Sequence, residues 1–317
     1  MQDEFGRTID YMRISVTDRC NLRCLYCMPE TGVENIGHDQ ILRFEEIERV
    51  VRAAAALGFR KFRLTGGEPL VRNGILRLVE KLADIEGVED LTMTTNGVLL
   101  DKMAAKLKAA GLKRINVSLD TLRPERFRAI TRGGEISAVL RGIQAAEDAG
   151  LAPVRLNVVA LHGFNDDEIL DFAEITKKKP FDIRFIELMP IGSTGERGQF
   201  ISTQDIRKAL WEYIPLVDRT GVAEYVRYPG APGRVGLISP ISSHFCGSCN
   251  KIRLTADGKI KTCLHSNREV DIRPALREND GASLLNVLEK AVREKEERHY
   301  INEGEAPVAR GMNKIGG

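Results

Sequence analysis

Six cysteines are the residues best able to do chemistry, and they stand in two groups of three. Cys20, Cys24 and Cys27 follow the spacing C-x3-C-x2-C, and Cys246, Cys249 and Cys263 follow C-x2-C-x13-C. Thiolates are soft ligands that suit zinc or iron–sulfur clusters. A cubane cluster has four irons and usually takes four cysteines. Three closely spaced thiolates therefore leave one iron open to an outside ligand, as catalytic metals require. Zinc is the competing reading. His38 could supply a distant fourth ligand to the first group. For the second group spacing alone favours zinc, because C-x2-C is half of many zinc sites and His244 or His265 could complete one. Three disulfides are the least apt use of six cysteines in a large chain whose first residues hold no apolar signal stretch, which points to a reducing cytoplasm.

The elements that must position these groups alternate through the first two thirds of the chain. Strands are predicted at 11–16, 60–65, 91–95, 114–119, 154–159 and 182–187. Helices are predicted at 43–57, around 75–82 and 101–110, and at 123–148 and 166–178, from apolar residues at helical spacing. Six β/α units imply a parallel sheet, either open and doubly wound or curled into a closed or partial barrel. Beyond a helix ending near Leu216 the alternation fades, a Pro/Gly-rich seam runs over 229–233, and short strands follow at 235–238, 251–255 and 258–262, then helix over 271–298. A boundary near residue 220 divides a first unit, 1–220, from a smaller α+β module, 221–317. A net charge of +2 gives no global attraction to nucleic acid or an acidic membrane, and no apolar run approaches the roughly 20 residues of a membrane helix. An anionic ligand must therefore be held by local cations. Arg63 shares a strand face with Thr65, and Arg155 with Asn157. Arginines pointing into a barrel are costly unless an anion meets them.

The first triplet, with an aromatic residue, Tyr26, before its last cysteine, resembles the signature of the radical S-adenosylmethionine superfamily. Thr65-Gly66-Gly67-Glu68-Pro69, directly after a predicted strand, supports the match, since paired glycines let backbone approach a ligand closely. The segment from Phe245 to Thr255 resembles the C-terminal cluster motif of the molybdenum cofactor biosynthesis protein A family, the GTP 3′,8-cyclases. Stretches at 13–20, 63–70, 94–97, 115–120 and 184–190, and the terminal Gly316-Gly317, extend the resemblance over nearly the whole chain.

The resemblance implies a partial (β/α)6 barrel of radical S-adenosylmethionine type with a C-terminal module carrying a second cluster. Each triplet would hold a [4Fe–4S] cluster, the first binding S-adenosylmethionine and the second the guanine of GTP. Tyr26, Gly67, Ser118 and Met189 match positions that contact S-adenosylmethionine. Arg13, Arg63, Thr94, Arg155 and the segment Lys251, Ile252 and Arg253 match substrate positions, and Arg253, Gly316 and Gly317 match positions needed for turnover. Residue 155 is Arg where the family usually has Lys, and residue 251 is Lys where it usually has Arg. The implied reaction is abstraction of the ribose 3′ hydrogen by a 5′-deoxyadenosyl radical and attack of C3′ on C8. Implied partners are a flavodoxin or ferredoxin as reductant, cyclic pyranopterin monophosphate synthase downstream, and a second copy in a homodimer. A peptide-modifying maturase with an auxiliary cluster, or a non-catalytic iron–sulfur or zinc protein, are the alternatives; the former usually has more C-terminal cysteines, and the latter needs neither the glycine loop nor inward arginines.

Overall fold

The computed structural model describes residues 1–32, 36–37, 39–191, 199–216, 221–277, 281–303, 308 and 310–316. Its strands are β1 (Tyr11–Ser15), β2 (Lys61–Thr65), β3 (Asp90–Thr95), β4 (Arg114–Ser118), β5 (Arg155–Ala160), β6 (Asp182–Glu187), β7 (Ile214–Pro215), β8 (Glu224–Arg227), β9 (Arg234–Ile238), β10 (Lys251–Leu254), β11 (Lys259–Lys261) and β12 (Val270–Asp271). All belong to one sheet, in the order β12-β11-β10-β1-β2-β3-β4-β5-β6-β9-β8-β7. The run from β10 to β9 is parallel throughout, and antiparallel strands finish both edges. Strands from beyond residue 220 thus extend the sheet at both ends, β9 beside β6 and β10 beside β1.

The helices are α1 (Phe44–Ala56), α2 (Ile75–Ala83), α3 (Ala104–Ala109), α4 (Pro124–Thr131), α5 (Ile136–Asp148), α6 (Ile169–Lys178), α7 (Thr203–Ala209), α8 (Arg273–Arg277), α9 (Gly281–Arg293) and α10 (Met312–Ile315). The first seven fill the six expected β/α units. The single helix expected over 123–148 is two, because Arg132 turns left-handed at φ 54° and Gly133-Gly134 follow it.

Side chains alternate along each strand. On the face toward the helices stand Met12, Ile14, Phe62, Leu64, Ile115 and Val117, all buried, and each contributes roughly 1.5–3 kcal/mol by leaving water. The opposite face is polar, the reverse of an ordinary barrel lined by branched apolar residues. It curls around one cavity of about 330 Å³. Lys251 of β10 and Ile238 of β9 both line that cavity. A flat sheet at about 4.8 Å per strand would hold those strands roughly 34 Å apart. The sheet is therefore a partial barrel, and its polar inner face is the functional surface.

Candidate active site

All six cysteines are free and all six line the one cavity. The first triplet lies on the loop after β1. Leu25 N–H donates to the Ile130 carbonyl at 2.9 Å, and the Arg132 guanidinium donates to the carbonyls of Arg23 at 2.9 Å and Met28 at 2.8 Å. The C-terminal end of α4 thus clasps the cysteine loop on either side of Cys24 and Cys27. Burial pushes the Cys27 thiol up to about 12, with Cys20 adding to the effect. Burial, Asp120, Cys27 and Cys20 together hold the Cys24 thiol well above its ordinary value. Three thiolates at this spot need a cationic partner, which an iron cluster provides.

The second triplet is assembled from a 3-10 turn, Cys246–Ser248, that leads into β10, and from the segment just after β11. Here cations are built in. Burial works to raise the Cys249 thiol, but Lys295, Lys251 and Arg253 outweigh it and leave it lowered. Three rings, His244, His265 and His299, line the cavity with this triplet, His299 meeting His244 edge-on at 5.4 Å and His265 at a tilt at 4.8 Å between centroids. Among the described residues no three His, Cys, Asp or Glu side chains converge on a point that would hold a single ion. A cubane takes each thiolate to a different iron, and three free thiols of each triplet facing the cavity are the donor set that it needs. His38 lies outside the described residues.

The loop after β2 runs against the backbone of the segment after β1. A Cβ on Gly66 would stand 2.3 Å from the Thr17 carbonyl oxygen, and one on Gly67 2.3 Å from that of Arg19, so both positions exclude any side chain. Glu68 is fully buried, and its carboxylate accepts from Asn96 N–H at 2.6 Å, Thr95 Oγ1 at 2.7 Å and Leu70 N–H at 3.0 Å. Burial pushes it up to about 7 despite these donors. Tyr26, Gly67, Ser118 and Met189 all line the cavity beside the first triplet.

The inner wall is cationic. Arg253, Arg13 and Arg63 stand side by side in register on β10, β1 and β2. Burial, reinforced by Arg253, lowers Arg13 to about 9, and burial lowers Arg63, Arg184 and Arg253 to about 10, values that leave each protonated at neutral pH. Arg184 on β6 feels Arg63 on β2, four strands away around the curl. One acid offsets the far side: Asp182 accepts from Arg155 Nε at 3.1 Å and Arg234 Nε at 2.8 Å. Among the described residues, Thr94 Oγ1, both amide atoms of Asn116, Asn157 Oδ1 and Arg184 Nε are buried with no hydrogen-bond partner. Buried polar groups are seldom left so unless a ligand completes them. The wall is suited to a polyanion with polar appendages.

Of the residues expected from the sequence, Arg13, Thr94, Lys251 and Arg253 line the cavity. Arg63 and Arg155 stand on the same inner face, Arg63 bonded to Thr92 Oγ1 at 3.1 Å. The Ile252 side chain points the other way, fully buried in the apolar core. Arg184, Arg234, Asn116 and Asn157 were not among the expected site residues. For Asn116 and Asn157 the signal was available, since they share strand parity with Ser118 and Arg155; no residue on the strands of Arg184 and Arg234 had been placed inward.

The chain end returns to this site. The Gly316 carbonyl accepts from Arg253 Nη1 at 2.6 Å, and a Cβ on Gly316 would meet Thr65 Cγ2 at 2.6 Å. Met312 and Asn313 line the cavity. Gly317 lies outside the described residues.

Residues 14–175 match the Radical SAM superfamily, and residues 181–301 match Molybdenum Cofactor Synthesis C. The GTP 3′,8-cyclase of Alkaliphilus oremlandii is 50% identical over 100% of this chain and 100% of its own. That of Alkaliphilus metalliredigens is 51% identical with the same coverage. Streptococcus suis SuiB bound to S-adenosylmethionine superposes with a TM-score of 0.67 at 16% identity, over 89% of this chain and 65% of SuiB, a likeness of fold.

Proposed function

The chain belongs to the GTP 3′,8-cyclase family of the radical S-adenosylmethionine superfamily, and we propose that the cavity shared by both cysteine triplets brings the ribose of GTP to S-adenosylmethionine at one end and the guanine to a second cluster at the other. The enzyme uses two [4Fe–4S] clusters and S-adenosylmethionine. Cys20, Cys24 and Cys27 would hold the first cluster, and Cys246, Cys249 and Cys263 the second. When bound, the first cluster and S-adenosylmethionine would supply the 5′-deoxyadenosyl radical that removes H3′; the C3′ radical would then bond to C8 of guanine, and one electron from the reductant with one proton would complete (8S)-3′,8-cyclo-7,8-dihydroguanosine 5′-triphosphate.

The chain's own part is positioning and exclusion of water. The loop of Gly66 and Gly67, with Tyr26, Ser118 and Met189, would seat S-adenosylmethionine. Arg13, Arg63, Thr94 and Arg155, joined by Arg184, would hold the triphosphate, since planar guanidinium groups bind phosphate oxygens in pairs. Lys251 and Arg253 would sit between substrate and second cluster. Arg253 and the Gly316 carbonyl it holds would close the site from the side of the chain end. The observation that carries the reading is that both cysteine triplets, the glycine loop and Arg13 line one cavity. The product would pass to cyclic pyranopterin monophosphate synthase, in the cytoplasm, with a flavodoxin or ferredoxin as electron source.

The test is anaerobic incubation of the reconstituted enzyme with S-adenosylmethionine, dithionite and GTP deuterated at C3′. Deuterium in 5′-deoxyadenosine together with a cyclised nucleotide is the expected result. Deoxyadenosine formed without GTP dependence or deuterium would keep the radical machinery and remove GTP as its substrate.

A further inference from the structure

The chain end is held at its root by one side chain. Arg310 lies between Asp257, in the turn from β10 to β11, and Glu269, just ahead of β12. Its Nη1 and Nη2 meet the two Asp257 oxygens at 2.8 and 3.0 Å, while its Nε and Nη2 meet the two Glu269 oxygens at 2.8 and 2.9 Å. Both edges of the guanidinium fork are used, and the three side chains are only 15–19% exposed. Such paired, partly buried bidentate contacts fix direction as well as distance.

From this root the next six residues, four of them the helical turn α10, lead to the cavity. Asn313 Nδ2 donates to the Asp18 carbonyl at 3.2 Å, beside the first cysteine loop. Gly316 then lies against Thr65 and under Arg253. A small apolar cluster of Ile191, Val308 and Ile315 also holds the segment. Apolar burial is non-directional, so that cluster keeps the segment on the protein without setting how far it reaches. The fork does set it, because Asp257 and Glu269 belong to the same hairpin region that carries Cys263 and Arg253.

We propose that Arg310 is a positioning residue, a latch that holds the chain end in register so that Gly316 meets Arg253 at the cavity. This rests on the reading that the cavity is the site of GTP cyclisation and that the chain end takes part in it. A lysine cannot serve both carboxylates in the same way, since it offers one point charge in place of the fork.

The experiment compares R310Q, R310K and the double variant D257N/E269Q with the parent, each as reconstituted holoenzyme. The amides of Lys314 and Gly316, bonded to the carbonyls of Gly311 and Met312, are followed by hydrogen exchange. R310Q and D257N/E269Q are expected to exchange at least about tenfold faster across 311–316. Iron content and S-adenosylmethionine affinity stay at the parent level, cyclisation kcat falls about tenfold or more with KM for GTP little changed, and R310K falls between. Unchanged exchange in both variants overturns the latch, as does equal loosening across the sheet. Faster exchange with undiminished cyclisation leaves the latch standing and removes the chain end from the reaction. The double variant keeps Arg310 in place, so it answers the question if R310Q fails to fold.

Discussion

The Tyr26 hydroxyl donates to Asp120 Oδ2 across 2.6 Å and ties the first cysteine loop to the segment after β4. Asp120 Oδ1 accepts in turn from Val159 N–H of β5 at 2.9 Å. One carboxyl therefore holds a cluster loop against two strands. Burial pushes Asp120 up to about 6 and raises Tyr26 well above its ordinary value, so neither group tolerates loss of its partner easily. Y26F keeps the ring and removes the donor, which leaves a buried acceptor unsatisfied at a cost of about 1–3 kcal/mol. The expected outcome is a lower urea midpoint for the cluster-free chain, with D120N and Y26F coupled in a double-mutant cycle. Additive effects of the two substitutions would show that the bond does not hold the loop.

The inner arginines are expected to read the triphosphate. R63A, R155A and R184A should each weaken GTP binding by about 10–100-fold, the worth of one charged hydrogen-bonding partner. Affinity for guanosine, iron content and S-adenosylmethionine affinity should stay near the parent values. R155K should retain most of the binding, because it keeps the charge while giving up the contact with Asp182. Calorimetry with GTP and guanosine separates the cases. Equal losses for both ligands would place these arginines away from the phosphates.

The barrel was legible because six strands and the helices after them carry clear periodicity, and the cysteines because their spacing is local. What escaped was non-local or short. β7 and β12 have two residues each and β8 four, too few for a period to register. The break between α4 and α5 hangs on Arg132, a residue type with no preference for the left-handed turn it adopts. Arg184 escaped because nothing in the sequence placed a neighbour on β6 inward, and a lone arginine on a strand carries no mark of its partners. Arg310 meets carboxylates 53 and 41 residues earlier in the chain, a relation that only folding reveals.

The two triplets are expected to act separately. C24S should bring iron from about eight per chain to about four and abolish S-adenosylmethionine cleavage, while C249S should lose a similar share and leave cleavage measurable. The reasoning is electrostatic. Cys24 sits where burial opposes the thiolate, so its site depends on the cluster's own charge. Cys249 has Lys295, Lys251 and Arg253 nearby, which lower its thiol, while burial raises that of Cys263, so the second site carries part of the counter-charge that its thiolates need. Iron assays and S-adenosylmethionine cleavage on both reconstituted variants check this. Loss of all iron from either variant would mean that the sites load as one unit.

Glu68 gives the fold a pH dependence of defined sign. Burial raises its carboxyl from the ordinary 4.5 to about 7. Folding therefore favours the protonated form, and the stabilisation is complete below the unfolded value and lost as pH rises through about 7. The rise corresponds to about 3 kcal/mol. Glutamine does not titrate, so E68Q should remove this slope. It should also lower stability by about 1–3 kcal/mol at low pH, since its amide nitrogen faces one of the donors now served by the carboxylate. Asp120 titrates in the same direction, so the informative quantity is the difference between parent and E68Q at each pH. Urea unfolding of the cluster-free chains at about pH 5, 6, 7 and 8 should show that difference shrinking as pH rises, because the parent loses stability that the variant never had. A difference that stays constant across the range would mean that Glu68 remains ionised throughout, held by Thr95, Asn96 and Leu70 against its burial.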